Sequence, residues 1–189
     1  MKASKDKSIL NEVVNGVSSD KAKIKYGCSK ALRILSETHP EIVYPKWDSI
    51  VNMLGYDNTF LRAGAVNVIA NLTKVDSKNK FEKLFNRYYK LMNDKSMITT
   101  ANLVGMSGVI ALAKPRLETK ITNKLLSIDK THHSSECKNV IKGGAIKAFD
   151  EYFEESRSKK KILDFVKEEL KNTRPSTRKQ AEKFLKKWG

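Results

Sequence analysis

The chain has 189 residues, 37 of them Lys or Arg and 21 Asp or Glu, which gives a formal net charge of +16 and an isoelectric point near 9.8. Its apolar residues make up 40% of the chain and recur at regular spacing, which excludes global disorder, and four Pro and nine Gly are too few for a turn-rich β-sandwich. Two cysteines, Cys28 and Cys137, cannot form a disulfide framework, and the basic residues 1–7 are followed by no apolar signal core, so a reducing, cytoplasmic setting is expected.

In chain order, a basic N-terminal arm at 1–7 precedes a first amphipathic segment at 8–15, broken by Gly16 and the polar residues Ser18, Ser19 and Asp20. IKYGCSKALRIL (24–35) comes next, and Pro40 and Pro45 lead into 46–54. A breaker at 55–58 precedes LRAGAVNVIANL (61–72). In 80–92, Phe81, Leu84, Phe85, Tyr88, Tyr89, Leu91 and Met92 form one helical stripe. Asn93 and Asp94 break it before ANLVGMSGVIAL (101–112). Pro115 leads into 117–128, a polar stretch follows at 129–135, and IKGGAIKAFDEY (141–152) comes after it. The last pair is 160–171 and TRKQAEKFLKKW (177–188), with Thr177 and Gln180 read as a capping box opening the final helix. No segment alternates with period two, so no strand is expected.

The five quoted twelve-residue segments share a pattern. Position two is basic in four of the five, Lys25, Arg62, Lys142 and Arg178, with Asn102 the exception. Position five is small, as Cys28, Ala65, Gly105, Ala145 and Ala181, and these anchors are 37, 40, 40 and 36 residues apart. Positions nine and twelve are large: Leu32 and Leu35, Ile69 and Leu72, Val109 and Leu112, Phe149 and Tyr152, Leu185 and Trp188. A small residue lets a neighbouring helix approach, and the large ones fill the space between layers.

In 43–72, Pro45, Leu54, Asp57, Leu61, Arg62, Ala65, Ile69 and Leu72 match a Pro-led first helix, a turn aspartate, then apolar–Arg–x–x–Ala and a trailing leucine. On these residues, and on the similar unit at 163–188, the chain resembles the HEAT-repeat proteins of the armadillo-type superfamily. The resemblance spans nearly the whole chain and departs most in the third unit, which lacks the basic residue, and in the fourth, with its longer turn. It implies an all-α, right-handed α–α superhelix of about five helix pairs in one domain, 1–189, with repeats near 8–40, 41–76, 77–116, 117–156 and 157–189. It also implies that the basic second position is chiefly structural, bridging neighbouring repeats, with a ligand-facing ladder as the alternative. By the same resemblance, second helices line the concave surface.

Positions three, seven and ten or eleven of the second helices are expected to point outward. The groove candidates are Lys30, Arg33, Asn67, Asn71, Lys147 and Lys183. Half of the charge excess, +8, sits in residues 157–189, where Arg174, Arg178, Lys179, Lys183 and Lys187 are candidate phosphate contacts; a polar cap ending the array is the plainer reading. No aromatic interleaves with those lysines outside expected core positions. The uncharged stretch 96–113 is read as a central core helix, not a membrane span, and exposure of Leu103, Met106 or Ile110 would mark a protein-binding patch.

His132, His133 and Cys137 lack a fourth nearby ligand, so no metal is assigned and the segment reads as an exposed polar loop. No catalytic residue and no cofactor motif is assigned. The expected function is a non-enzymatic scaffold whose concave face binds a macromolecule, foremost an acidic protein, with nucleic acid held through its phosphates as the alternative. A weaker third reading comes from the HEAT-like DNA glycosylases, whose Trp and Asp lie a helical turn apart. Here Trp47 and Asp48 are adjacent and position 51 is Val, so that catalytic set does not carry over.

Overall fold

The structure, a computed structural model, describes the backbone of residues 2–189 and the side chains of residues 8–189, so the basic arm at 1–7 lies outside the fully described residues. Among the described residues there is no strand, and the helices pack against their neighbours. The chain divides into two compact units, Met1–Phe81 and Glu82–Gly189.

The first unit holds α1 (Lys2–Gly16), α2 (Ala22–Thr38), α3 (Pro40–Val43), α4 (Trp47–Asn52) and α5 (Thr59–Leu72). Helix α5 is its packing centre, lying along α2 and against α3 and α4, with Leu61, Ala65, Val66, Ile69 and Leu72 all buried. The first turn of α5 forms because the Asn58 side chain accepts from the amides of Phe60 and Leu61. Helix α2 comes close at Gly64, where an added Cβ would stand 2.8 Å from the Ser29 hydroxyl. Further along the same pair, the amide Nδ2 of Asn71 donates to Ser36 Oγ over 3.0 Å. At the end of this unit the Asp76 carboxylate accepts from Tyr44 OH at 2.6 Å and from the amides of Lys80 and Phe81 at 3.0 and 2.9 Å. It thereby caps α6 (Lys80–Lys90). Burial, followed by the hydrogen bond and the negative charge of Asp76, raises the Tyr44 phenol to about 12.

The second unit contains the rest of α6 and then α7 (Met97–Gly105), α8 (Ser107–Ala113), α9 (Glu118–Leu125), α10 (Ser135–Tyr152), α11 (Lys159–Glu168) and α12 (Pro175–Trp188). Helix α10 packs on α7 and α8 on one side and on α12 on the other. Glu118, at the start of α9, is buried and accepts from Thr119, Thr122 and Ser156 hydroxyls at 3.0, 2.9 and 2.7 Å, which fastens that helix to the turn after α10. Burial alone would raise the Glu118 carboxyl, but these bonds outweigh it and hold it below its ordinary value.

All ten predicted segments lie on helices, but three details differ from expectation. The segment at 101–112 is interrupted at Met106, between α7 and α8, because Ser107 Oγ donates back to the Leu103 carbonyl at 2.9 Å and competes with the helix ladder. The tight contact there falls at Gly108, where a Cβ would collide with the Glu151 carboxylate and stand 2.9 Å from the Ala148 carbonyl, while Gly105 faces open space. Leu112, expected between layers, is accordingly 48% exposed. Helix α12 begins at Pro175 with Arg174 before it, and Thr177 is no cap: it is buried within the first turn and donates to the Asn139 carbonyl at 2.7 Å, tying α12 to α10. Finally, His133 is not in an exposed loop. It is 8% exposed and its Nε2 lies 2.9 Å from Thr100 Oγ1 on α7.

Candidate functional site

Three of the four basic second positions, Arg62, Lys142 and Arg178, have internal partners. Arg62, 5% exposed, folds back so that Nη1 donates to the carbonyls of Tyr56 and Asp57 at 2.6 and 2.9 Å. Arg178 does the same in its own unit, with Nη1 donating to the carbonyls of Asn172 and Thr173 at 2.7 and 3.0 Å. In both cases the guanidinium satisfies carbonyls of the turn that precedes its helix, groups that would otherwise need water or a ligand. Lys142 instead reaches two acids in flanking turns, Asp129 at 3.0 Å and the buried Glu169 at 2.9 Å. Burial by itself would lower the Lys142 ammonium, but Glu169 and Asp129 outweigh that and hold it above its ordinary value. Arg178 thus uses Nη1 on two carbonyls of its own unit while the residue stays half-exposed.

Among the groove candidates, Lys30 and Arg33 are exposed on α2, and Asn67 is half-buried on α5. Asn71 does not reach a partner surface: it is 4% exposed, and its bond to Ser36 uses its amide between two helices. The outward rule for position three also fails in the middle segments, where Ala63, Leu103 and Gly143 are buried because a second helix passes on that side.

In the second unit, Lys147 on α10 and Lys183 on α12 come together. They line a cleft of about 400 Å³ with Ile146, Asp150, Glu151, Gln180 and Phe184. Asp150 is engaged by Lys187 Nζ at 2.9 Å and by the Trp188 indole N–H at 2.6 Å. Burial would raise the Asp150 carboxyl, but those two bonds and the charges of Lys187 and Lys183 hold it below its ordinary value. Of the phosphate candidates, Arg174 is paired with Glu136 at 3.0 Å and Lys187 with Asp150, whereas Lys179 and Lys183 are exposed.

The sequence reading missed two aromatics in the first unit. Phe60, in the first turn of α5, is 62% exposed, and it meets Tyr26 of α2, 44% exposed, edge to face at 6.3 Å between ring centres. Tyr26 occupies position three of its segment, so the outward rule already placed it at the surface. Phe60 stands just before the repeated pattern begins.

Among the described residues no three His, Cys, Asp or Glu side chains are grouped to hold a metal, and no single helix is long and apolar enough to cross a membrane. Leu103 and Ile110 are fully buried, so the uncharged stretch serves packing. Trp47 is 4% exposed while the Asp48 side chain points to solvent, where Lys80 Nζ approaches it at 3.4 Å. The two therefore share no pocket. No family model matches the chain, and no curated protein matches it.

Proposed function

We propose that the chain is a non-enzymatic scaffold of HEAT type, a right-handed superhelix of about five helix pairs, whose second helices bind an acidic protein partner. The recurrence of one device supports the repeat reading: Arg62 and Arg178, at the same position of two segments 116 residues apart, cap the preceding turn with the same pair of hydrogen bonds. The observation that carries the binding reading is the cleft between α10 and α12. There Lys147 and Lys183 stand exposed beside Lys187, three cations against the two acids Asp150 and Glu151, and Asp150 already accepts from Lys187 and Trp188. A concave site with an excess of cations favours acidic side chains and steers their approach.

The test is binding of polyglutamate to the full chain and to the double variant Lys147→Glu, Lys183→Glu, with thermal melting as the control. Loss of binding at unchanged melting temperature supports the cleft as the site; unchanged binding refutes it. The second reading is nonspecific binding of nucleic acid through Lys179 and Lys183, favoured by the +8 of residues 157–189. Random duplex DNA titrated across a salt series discriminates: micromolar affinity falling steeply with salt supports it, and no binding at low salt removes it.

A further inference from the structure

We infer that the first unit carries a binding strip for single-stranded nucleic acid, formed by the solvent face of α2 together with Phe60. The strip is independent of the cleft between α10 and α12. On α2, Lys23, Tyr26, Lys30 and Arg33 fall at i, i+3, i+7 and i+10, a spacing that places them on one face, and all four are exposed. At 1.5 Å per residue the row is about 15 Å long. Glu37 is the one acid in the helix, and its Oε2 lies 3.8 Å from Arg33 Nη1; Lys23 and Lys30 have no acidic partner among the described residues.

Two aromatic rings on this cationic row decide between partners. Phe60 leaves 62% of its surface in water while its ring meets Tyr26. The Tyr26 hydroxyl accepts from Asn58 Nδ2 at 3.0 Å and its ring meets that of Phe60 edge to face, which holds the two rings side by side. Asn58 is also the residue that caps α5, so the cap and the ring position are one structure. An exposed aromatic pair beside three cations on one helix face provides what an unpaired strand needs: ring faces for its bases and ammonium or guanidinium groups for its phosphates. Duplex DNA hides its base faces and would use the cations alone. An acidic peptide would likewise use the cations and leave Phe60 without a specific role.

The experiment is fluorescence anisotropy of the full chain with a short labelled oligothymidine, a duplex of equal length and polyglutamate, each across a salt series. The oligothymidine should bind more tightly than the duplex. Phe60→Ala should weaken it about tenfold with an unchanged salt slope, because a stacking contact and no charge is lost. Lys30→Gln should weaken binding and flatten the slope, because one phosphate contact is lost. Since Phe60 is a surface residue, far-ultraviolet circular dichroism should show the variant folded. The inference is overturned if the oligothymidine does not bind at low salt, if the duplex binds as tightly, or if Phe60→Ala changes affinity by less than twofold. It is also overturned if Phe60→Ala weakens polyglutamate as much as oligothymidine, which would make the strip a docking surface for acidic protein.

Discussion

Replacing Arg62 by Met tests the turn-capping device directly. Methionine keeps most of the aliphatic stem but removes the Nη1 that donates to the Tyr56 and Asp57 carbonyls at 2.6 and 2.9 Å. Hydrogen bonds from a charged donor contribute about 1.5–3 kcal/mol each, but both bonds here share one nitrogen, and the exposed turn lets water replace part of what is lost. The expected cost is therefore about 3 kcal/mol, or roughly 6–12 °C in melting temperature for a chain of this size. Arg178 makes the same two bonds from a half-exposed position, so Arg178→Met should cost less, about 1–2 kcal/mol. Lysine at position 62 should recover only part of the loss, since an ammonium lacks the reach and planar fork of the guanidinium. Urea unfolding followed by circular dichroism gives the differences, and Trp47 fluorescence in a Trp188→Phe background reports the first unit. An Arg62→Met cost below about 0.5 kcal/mol, or a larger cost at Arg178, would refute the capping role, because it would mean that water satisfies these carbonyls equally well.

Two glycines three residues apart should respond with opposite signs. Gly108→Ala forces the Glu151 side chain and the Ala148 backbone away and should cost about 1–3 kcal/mol, whereas Gly105→Ala enters open space and should stabilise by about 0.5–1 kcal/mol through helix propensity. Equal effects in urea unfolding would show that α10 does not pass at Gly108. Removal of the Lys142 ammonium by Lys142→Met leaves the buried Glu169 without its counter-charge and should cost about 2–4 kcal/mol, and Glu169→Gln in the same background should recover part of that loss. His133 is held below its ordinary value of 6.5 by burial and then by the neighbouring His132. The unfolded chain thus takes up this proton at a higher pH than the folded one, so stability is full above 6.5 and falls as pH drops through it. Glu118 and Asp150, both held low, add stability that is lost only below their unfolded values of 4.5 and 3.8, so the two windows separate. Melting temperatures between pH 7.5 and 5.5 should decline in the native chain and stay flatter in His133→Asn; identical slopes would remove His133 as the cause.

The sequence by itself placed the ten helical segments, though not the break at Met106 or the start of α12 at Pro175. Apolar residues at helical spacing, Asn58 and Ser96 before helix starts, and Pro40 and Pro115 at first turns are local signals, and local physics is enough to place them. It also located the basic second positions, because their spacing of about forty residues is visible without coordinates. What it could not decide was which face of each helix a neighbour covers. Positions three of the segments look alike in sequence, yet Tyr26 is exposed and Ala63, Leu103 and Gly143 are buried, because exposure depends on whether another helix passes on that side. Asn71 reads as a surface amide until Ser36 of α2 is found 3.0 Å away. The same holds for charge. The count of lysines and arginines was fixed by composition, but only the fold showed that Arg62, Lys142 and Arg178 are used to hold turns and helices, while Lys147, Lys183 and the α2 strip face solvent. A cation's partner is set by distances of a few ångström between residues some thirty or forty positions apart, and no local pattern encodes them.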